Sequence, residues 1–221
     1  MSDRYDAAIF DFGGVLTTSV RGSFASYEQS IGLPEGSLLK AFLHAEEGEE
    51  PHYHLLERGE ISEVEFFGRM IERVGELTGV AIPVPQDPSD IRRRMFDGLQ
   101  PNEEMLAAAA RIGHHYKTAI LSNNVREWRE WRDMVAHAGF RVIIDSSEVG
   151  ARKPEPEIYR MTCELLEVEP DRAVFVDDIP WNIEGAEQVG LTAIRFTSTD
   201  EVLDALRGFF PRAFQGGDGD A

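Results

Sequence analysis

Five short apolar runs, separated by stretches of helical periodicity, constrain this chain more than any other feature. The runs are Ala7–Phe10, Lys117–Leu121, Arg141–Ile144, Ala173–Val176 and Thr192–Phe196. Each is bounded by polar residues and is too short for a buried helix, so each reads as a strand covered on both faces. Helical patterns follow at 102–115, at 126–138 (Trp128, Trp131, Met134, Val135), at 155–168 (Ile158, Met161, Thr162, Leu165, Leu166), at 182–189 and at 201–209. Strand–helix alternation at this spacing predicts an α/β fold, a parallel sheet flanked by helices with right-handed crossovers.

Residues 19–97 break the alternation. They lack strand-like runs and carry helical periodicity, as in 62–77, where Val64, Phe66, Phe67, Met70, Ile71 and Val74 share a stripe. Ser62, three residues before Glu65, is a capping-box signature. A helical block inserted directly after the first strand belongs near the carboxyl ends of the strands, where open α/β sheets place their sites. The expected organisation is therefore a core of 1–18 and 98–213 with a helical cap of 19–97. Pro83, Pro85 and Pro88 mark the return linker, and the glycine-rich residues 214–221 a frayed tail.

The chain has 221 residues, with 40 acidic and 22 basic side chains and a formal charge of −18. That balance argues against nucleic acid, whose phosphates need clustered Lys and Arg, and against an anionic membrane surface. The single cysteine, Cys163, excludes an internal disulfide framework and a cysteine-built metal cage, and it reads as a buried packing residue. No signal-peptide core or membrane span is visible, so a cytoplasmic protein is expected. Monomer and homodimer both remain open.

Four strand ends carry the chemistry-bearing residues. Asp11-Phe12-Gly13-Gly14 follows the first run, where the glycines allow backbone amides to approach a ligand. Ser122-Asn123-Asn124 follows the second, with hydroxyl and amide groups able to bond an anion. Lys153 lies in a proline-stiffened turn after the third, and Asp177-Asp178 ends the fourth. Taken singly, these have ordinary readings as a turn, a helix cap and a solvent lysine. Adjacent carboxylates after a buried strand are less ordinary, because they repel unless a cation compensates. In a parallel sheet all four positions converge on one edge.

The stretches IFDFGGVL (9–16), AILSNN (119–124), GARKPEPEIY (150–159) and FVDDIPWNIEGAEQVGLTAI (175–194) resemble the haloacid dehalogenase-like hydrolase superfamily. The likeness covers about 5–210, and LERGEISEVEF (56–66) is similar to the small helical caps of sugar-phosphate phosphatases and of the epoxide hydrolase phosphatase domain. The resemblance implies a Rossmann-like core and an Mg²⁺-dependent phosphatase acting on a small phosphorylated metabolite. It implies Asp11 as nucleophile, with Mg²⁺ on the Asp11 and Asp178 carboxylates and the Gly13 carbonyl. Ser122, Lys153 and the amides of the Gly13-Gly14 loop would hold the phosphoryl group. Asp177 would orient Lys153, Asn123 would line the site, and Asn182 would brace the acidic loop.

One position departs from the pattern. Gly13 stands where most phosphatases of the family carry a second Asp as general acid and base. The metal contact survives through the backbone, but the proton donor does not. A good leaving group, or a cap residue such as His52, His54, Glu57 or Glu60, could make up the loss. Two other classes stay in view: a non-catalytic or regulatory phosphate-binding domain, and a haloacid dehalogenase-like carbon–halogen hydrolase. The latter needs no metal, so the pair Asp177-Asp178 weighs against it.

Overall fold

The computed structural model describes residues 4–82, 87, 89–96 and 98–215. Five strands, β1 (Ala7–Phe10), β2 (Lys117–Ser122), β3 (Val142–Asp145), β4 (Ala173–Asp177) and β5 (Thr192–Arg195), form one sheet in the order β3-β2-β1-β4-β5. Every pairing is parallel. The expected strands are all present, and their ends shift by no more than a residue. The chain leaves β1 towards β2 on one side and β4 on the other, so the crevice beside β1 is the topological switch point where open α/β sheets bind ligands.

Strand alternation divides the core between the two faces. Ala8, Phe10, Ile120, Val174 and Val176 pack with helices α6 (Glu103–Gly113) and α10 (Thr199–Phe209). Ala7, Ile9, Ala119, Leu121 and Phe175 pack with α8 (Pro156–Leu166) and α9 (Pro180–Val189). Cys163 is buried on this second face, as expected. Asn102 caps α6 by accepting from the Met105 amide at 3.3 Å.

The block between β1 and α6 is helical, as its periodicity predicts. It comprises α1 (Val20–Ile31), α2 (Ser37–Phe42), α3 (His52–Glu57), α4 (Glu63–Thr78) and α5 (Ser89–Phe96). Phe24, Leu38, Leu56, Phe67, Met70, Val74 and Met95 give it an apolar core of its own. Ser62 Oγ accepts from the Glu65 amide at 3.3 Å, so the cap on α4 forms. The two chain crossings into the block pair with each other: Thr17 bridges Pro101, and the Thr18 amide donates to the Gln100 carbonyl at 2.9 Å. The expected proline linker and the tail beyond Gln215 lie outside the described residues. Phe214 ends a short helix, α11 (Pro211–Phe214), packed on the core. Among the described residues no helix is long and apolar enough to cross a membrane.

One expected helix takes a different form. Residues 126–138 form two short 3₁₀ turns, Glu130–Met134 and Ala136–Ala138. Of the four apolar residues read as a stripe, Trp131 and Val135 are buried, while Trp128, which precedes the first turn, and Met134 are half-buried. Trp131 lies 4.8 Å from Phe12 and Trp128 4.9 Å from Phe96, centroid to centroid.

Candidate active site

The sheet register sets the site. Phe10 pairs with Ile120 on one side and Val176 on the other. One residue on, the Asp11 amide donates to the Val176 carbonyl at 2.9 Å, so Asp11 lies beside Asp177 at the carboxyl edge. Ser122 ends β2 opposite Asp145 of β3. All four strand-end motifs therefore meet at one rim.

Lys153 is 1% exposed and reaches between two carboxylates. Its Nζ donates to Asp11 Oδ1 and to Asp177 Oδ2, each at 2.7 Å. The Phe12 amide also donates to Asp11 Oδ1 at 2.7 Å. Asp177 is sealed from solvent and held on both oxygens. Asn182 Nδ2 donates to them at 3.1 and 3.0 Å, and the Ile179 amide donates to Oδ1 at 2.8 Å. Asp177 thus fixes the lysine, and Asn182 fixes Asp177, at the N-terminus of α9.

Asp178 completes the group. Carboxylate oxygens of Asp11, Asp177 and Asp178 lie within 4.8 Å of one another, against one lysine. Asp178 Oδ1 is buried and has no hydrogen-bond partner among the described residues. Gly14, at φ 89°, makes room for it: a Cβ there would come within 2.7 Å of Asp178 Oδ2. Burial, opposed by Lys153 and reinforced by Asp177, pushes the Asp11 carboxyl up to about 8. Burial and then Asp177 raise Asp178 as well. Burial pulls the Lys153 ammonium down, but Asp11 and Asp177 outweigh it and hold the group above the usual lysine range. One fixed cation is too little for this group of three carboxylates, two of them buried and Asp178 half-buried. An orphaned acidic oxygen in an all-oxygen donor set fits a hard divalent cation such as Mg²⁺.

Above this rim lies a cavity of about 220 Å³. Asp11, Gly13, Ser122, Asn123, Lys153, Asp178 and Asn182 form its floor. Gly14 and Asp177 do not line it; they sit behind the floor, under Asp178 and Lys153. Among the described residues Ser122 Oγ makes no hydrogen bond to Asp11 or Lys153, and it donates to the Asn123 carbonyl at 3.4 Å. The roof is largely apolar, with Phe24, Phe42, Tyr53, Phe67, Phe96 and Trp128, and Trp181 stands at 45% exposure beside it. Trp128, read from sequence as core or cap contact, is part of this wall.

Sequence reasoning missed how Asn123 is used. Its side chain pairs with the Lys153 backbone, Oδ1 accepting from the amide at 2.8 Å and Nδ2 donating to the carbonyl at 3.0 Å. It missed Arg152 altogether, whose Nε donates to Glu57 Oε2 at 2.6 Å. Of the four block residues named from sequence, Glu57 lines the cavity. His54 bonds Glu50, His52 contacts Arg69, and Glu60 pairs with Arg58.

The chain is similar to known proteins in sequence and in fold. The chain is 30% identical over 217 residues to bifunctional epoxide hydrolase 2 of Sus scrofa, spanning 90% of this chain but only 38% of that relative. The fold matches an enzyme of Bacteroides thetaiotaomicron solved with magnesium and inorganic phosphate, at TM-score 0.64 and 21% identity over 86% of this chain and 93% of the other. It also matches L-2-haloacid dehalogenase of Xanthobacter autotrophicus, at TM-score 0.62 and 18% identity over 93% and 84% of the two chains. A family model matches residues 5–190, and with that span covered, the chain belongs to the haloacid dehalogenase-like hydrolases.

Proposed function

We propose that this protein is an Mg²⁺-dependent phosphomonoester hydrolase that works through an aspartyl-phosphate on Asp11. The observation carrying the reading is the buried, unpartnered Asp178 Oδ1 within a three-carboxylate group served by one lysine. Mg²⁺ would be held by the Asp11 and Asp178 carboxylates and the Gly13 carbonyl, and when bound it would neutralise charge as two anions meet.

The chain's own residues do the rest. Asp11 Oδ1 is pinned by Lys153 and the Phe12 amide, which orients the carboxylate for attack on phosphorus. Covalent catalysis divides one hard displacement into two easier ones. Lys153 and Ser122 hold phosphoryl oxygens, with the Gly13 amide assisting, and Asp177 and Asn182 keep the lysine in place; the Gly14 amide, expected from the sequence to help, lies behind the floor and donates to Thr17 Oγ1 at 3.4 Å. The 19–97 block acts as a cap whose aromatic wall receives the organic part of a small metabolite ester.

The test is phosphate release from p-nitrophenyl phosphate with Mg²⁺, with EDTA, and with Asp11→Asn. Release that requires both Mg²⁺ and Asp11 supports the reading. Chloride release from 2-chloropropionate without metal would replace it with a dehalogenase, the function named for one structural neighbour. Saturable phosphate binding with neither activity would leave a binding domain.

A further inference from the structure

In an in-line displacement the attacking and leaving oxygens lie on opposite sides of phosphorus. Asp11 sits on the floor of the cavity, so the leaving oxygen points to the helical block. Gly13 offers no proton to it. Among the described residues, the titratable side chains that the block presents to the cavity are Arg21, Tyr53 and Glu57. A guanidinium does not release its proton near neutral pH. Burial raises the Tyr53 phenol further above its ordinary value.

Glu57 is differently placed. Its Oε2 is held by Arg152 Nε at 2.6 Å and Asn123 Nδ2 at 3.3 Å. Among the described residues its Oε1 makes no hydrogen bond, and the side chain keeps 15% exposure where it lines the cavity. Asn123 grips both the Lys153 backbone and Glu57, so one amide ties this cavity-lining carboxyl group to the residue whose Nζ grips Asp11.

We propose that Glu57 is the acid–base residue of this site, taking the place of the carboxyl group that Gly13 lacks; this rests on the phosphomonoester reading above. As Asp11 forms its bond to phosphorus, the bond to the leaving oxygen breaks with its electron pair, and that oxygen takes the proton from Glu57 Oε1. The products are the free alcohol, the aspartyl-phosphate and a Glu57 carboxylate. In the second half a water forms its bond to phosphorus and gives its proton to Glu57. The bond between phosphorus and the Asp11 oxygen breaks, restoring the Asp11 carboxylate, the Glu57 acid and free phosphate.

The surroundings suit both protonation states. Burial lifts the Glu57 carboxyl above its ordinary value, while Arg152 and then Lys153 pull it down and Glu155 pushes it up. The other charged groups around it are already engaged. Arg58 pairs with Glu50, Glu60 and Glu155, and His54 with Glu50. On α4, Arg69 bonds Glu65 and contacts His52, and Glu148 of the short helix α7 (Ser146–Val149) pairs with Arg132.

The experiment compares an alkyl phosphate, whose alkoxide must be protonated to leave, with acetyl phosphate, whose carboxylate leaves unaided. In Glu57→Gln, kcat/KM on the alkyl ester should fall ~10²–10⁴-fold, the usual worth of general acid–base help. On acetyl phosphate it should fall by less than about threefold. The amide still accepts from Arg152, so orthovanadate affinity and Tm should stay at the wild-type values. Glu60→Gln, outside the cavity, should leave both substrates untouched. Wild-type protein gives a second readout: the alkyl-to-acetyl ratio of kcat/KM cancels every group common to both reactions, and should decline with rising pH above the Glu57 pKa. Equal losses on the two esters in Glu57→Gln, or a ratio flat with pH, would overturn the role of Glu57. Wild-type protein hydrolysing neither ester with Mg²⁺ would instead overturn the phosphatase reading beneath it.

Discussion

Replacing Lys153 by methionine keeps the length of the side chain and removes the ammonium that the buried Asp11 and Asp177 carboxylates share. In the wild type its Nζ makes two 2.7 Å ion pairs at 1% exposure. Removing one partner of a buried pair typically costs ~3–5 kcal/mol, because the charge left behind is uncompensated. In a protein of this size each kcal/mol moves Tm by about 2–4 °C, which gives a drop of roughly 6–20 °C. Part of that cost is avoidable, since the orphaned carboxyls can take up protons. Lys153→Met raises the folded-state pKa of Asp11, which Lys153 holds down, further above that of the unfolded chain. The folded state then binds more protons than the unfolded one over a wider range, so the variant loses stability as pH rises. The destabilisation should accordingly be smaller near pH 5 than near pH 8. Differential scanning fluorimetry in EDTA at several pH values reads both effects. A Tm within about 2 °C of wild type at pH 8, or a deficit that grows towards acid, would refute the claim that this lysine offsets the acidic cluster.

Three further outcomes follow from the same rim. In metal-free wild type, Asp11 is raised by burial from 3.8 to about 8, so the fold keeps a proton that the unfolded chain has released. Tm in EDTA should fall as pH climbs between those values, and Mg²⁺ should flatten the slope; parallel curves with and without Mg²⁺ would speak against a cation site there. Gly14→Ala forces a side chain into a φ of 89° and within 2.7 Å of Asp178 Oδ2, so isothermal titration should show Mg²⁺ affinity weakened by at least about tenfold, given ~1–2 kcal/mol of backbone strain and a displaced carboxylate. Asn182→Ala strips the side-chain amide from both Asp177 oxygens, and should cost ~1.5–3 kcal/mol in chemical denaturation, the range for a hydrogen bond to a charged group.

The strands and their ends were legible because their signal is local. A buried parallel strand needs a short apolar run, and β1 and β4 begin where that run begins, with β4 carrying one residue further to include Asp177. Convergence of Asp11, Ser122, Lys153 and Asp178 followed from topology, since parallel strands bring their carboxyl ends to one rim. The 126–138 segment was misread as an α-helix because Trp128, Trp131, Met134 and Val135 stand at helical spacing, although only two short 3₁₀ turns form there. The Arg152–Glu57 pair was invisible for another reason. Its partners are 95 residues apart, and they meet only once the helical block has docked, a step that no local pattern encodes. Asn123 was placed on the cavity, but its grip on Lys153 depends on a loop-to-loop pairing of the same non-local kind.

The crossings at Thr17 and Pro101 lie side by side, so both threads into the helical block pass through a single doorway beside Asp11. The block also has an apolar interior separate from those of the sheet. Sequence drift inside it can therefore remodel the roof and change which molecules are admitted, while the machinery at the strand ends stays as it is. Glu57 and its partners apart, the two halves of the chain are free to evolve at different speeds, one keeping the strand-end site and the other reshaping what reaches it.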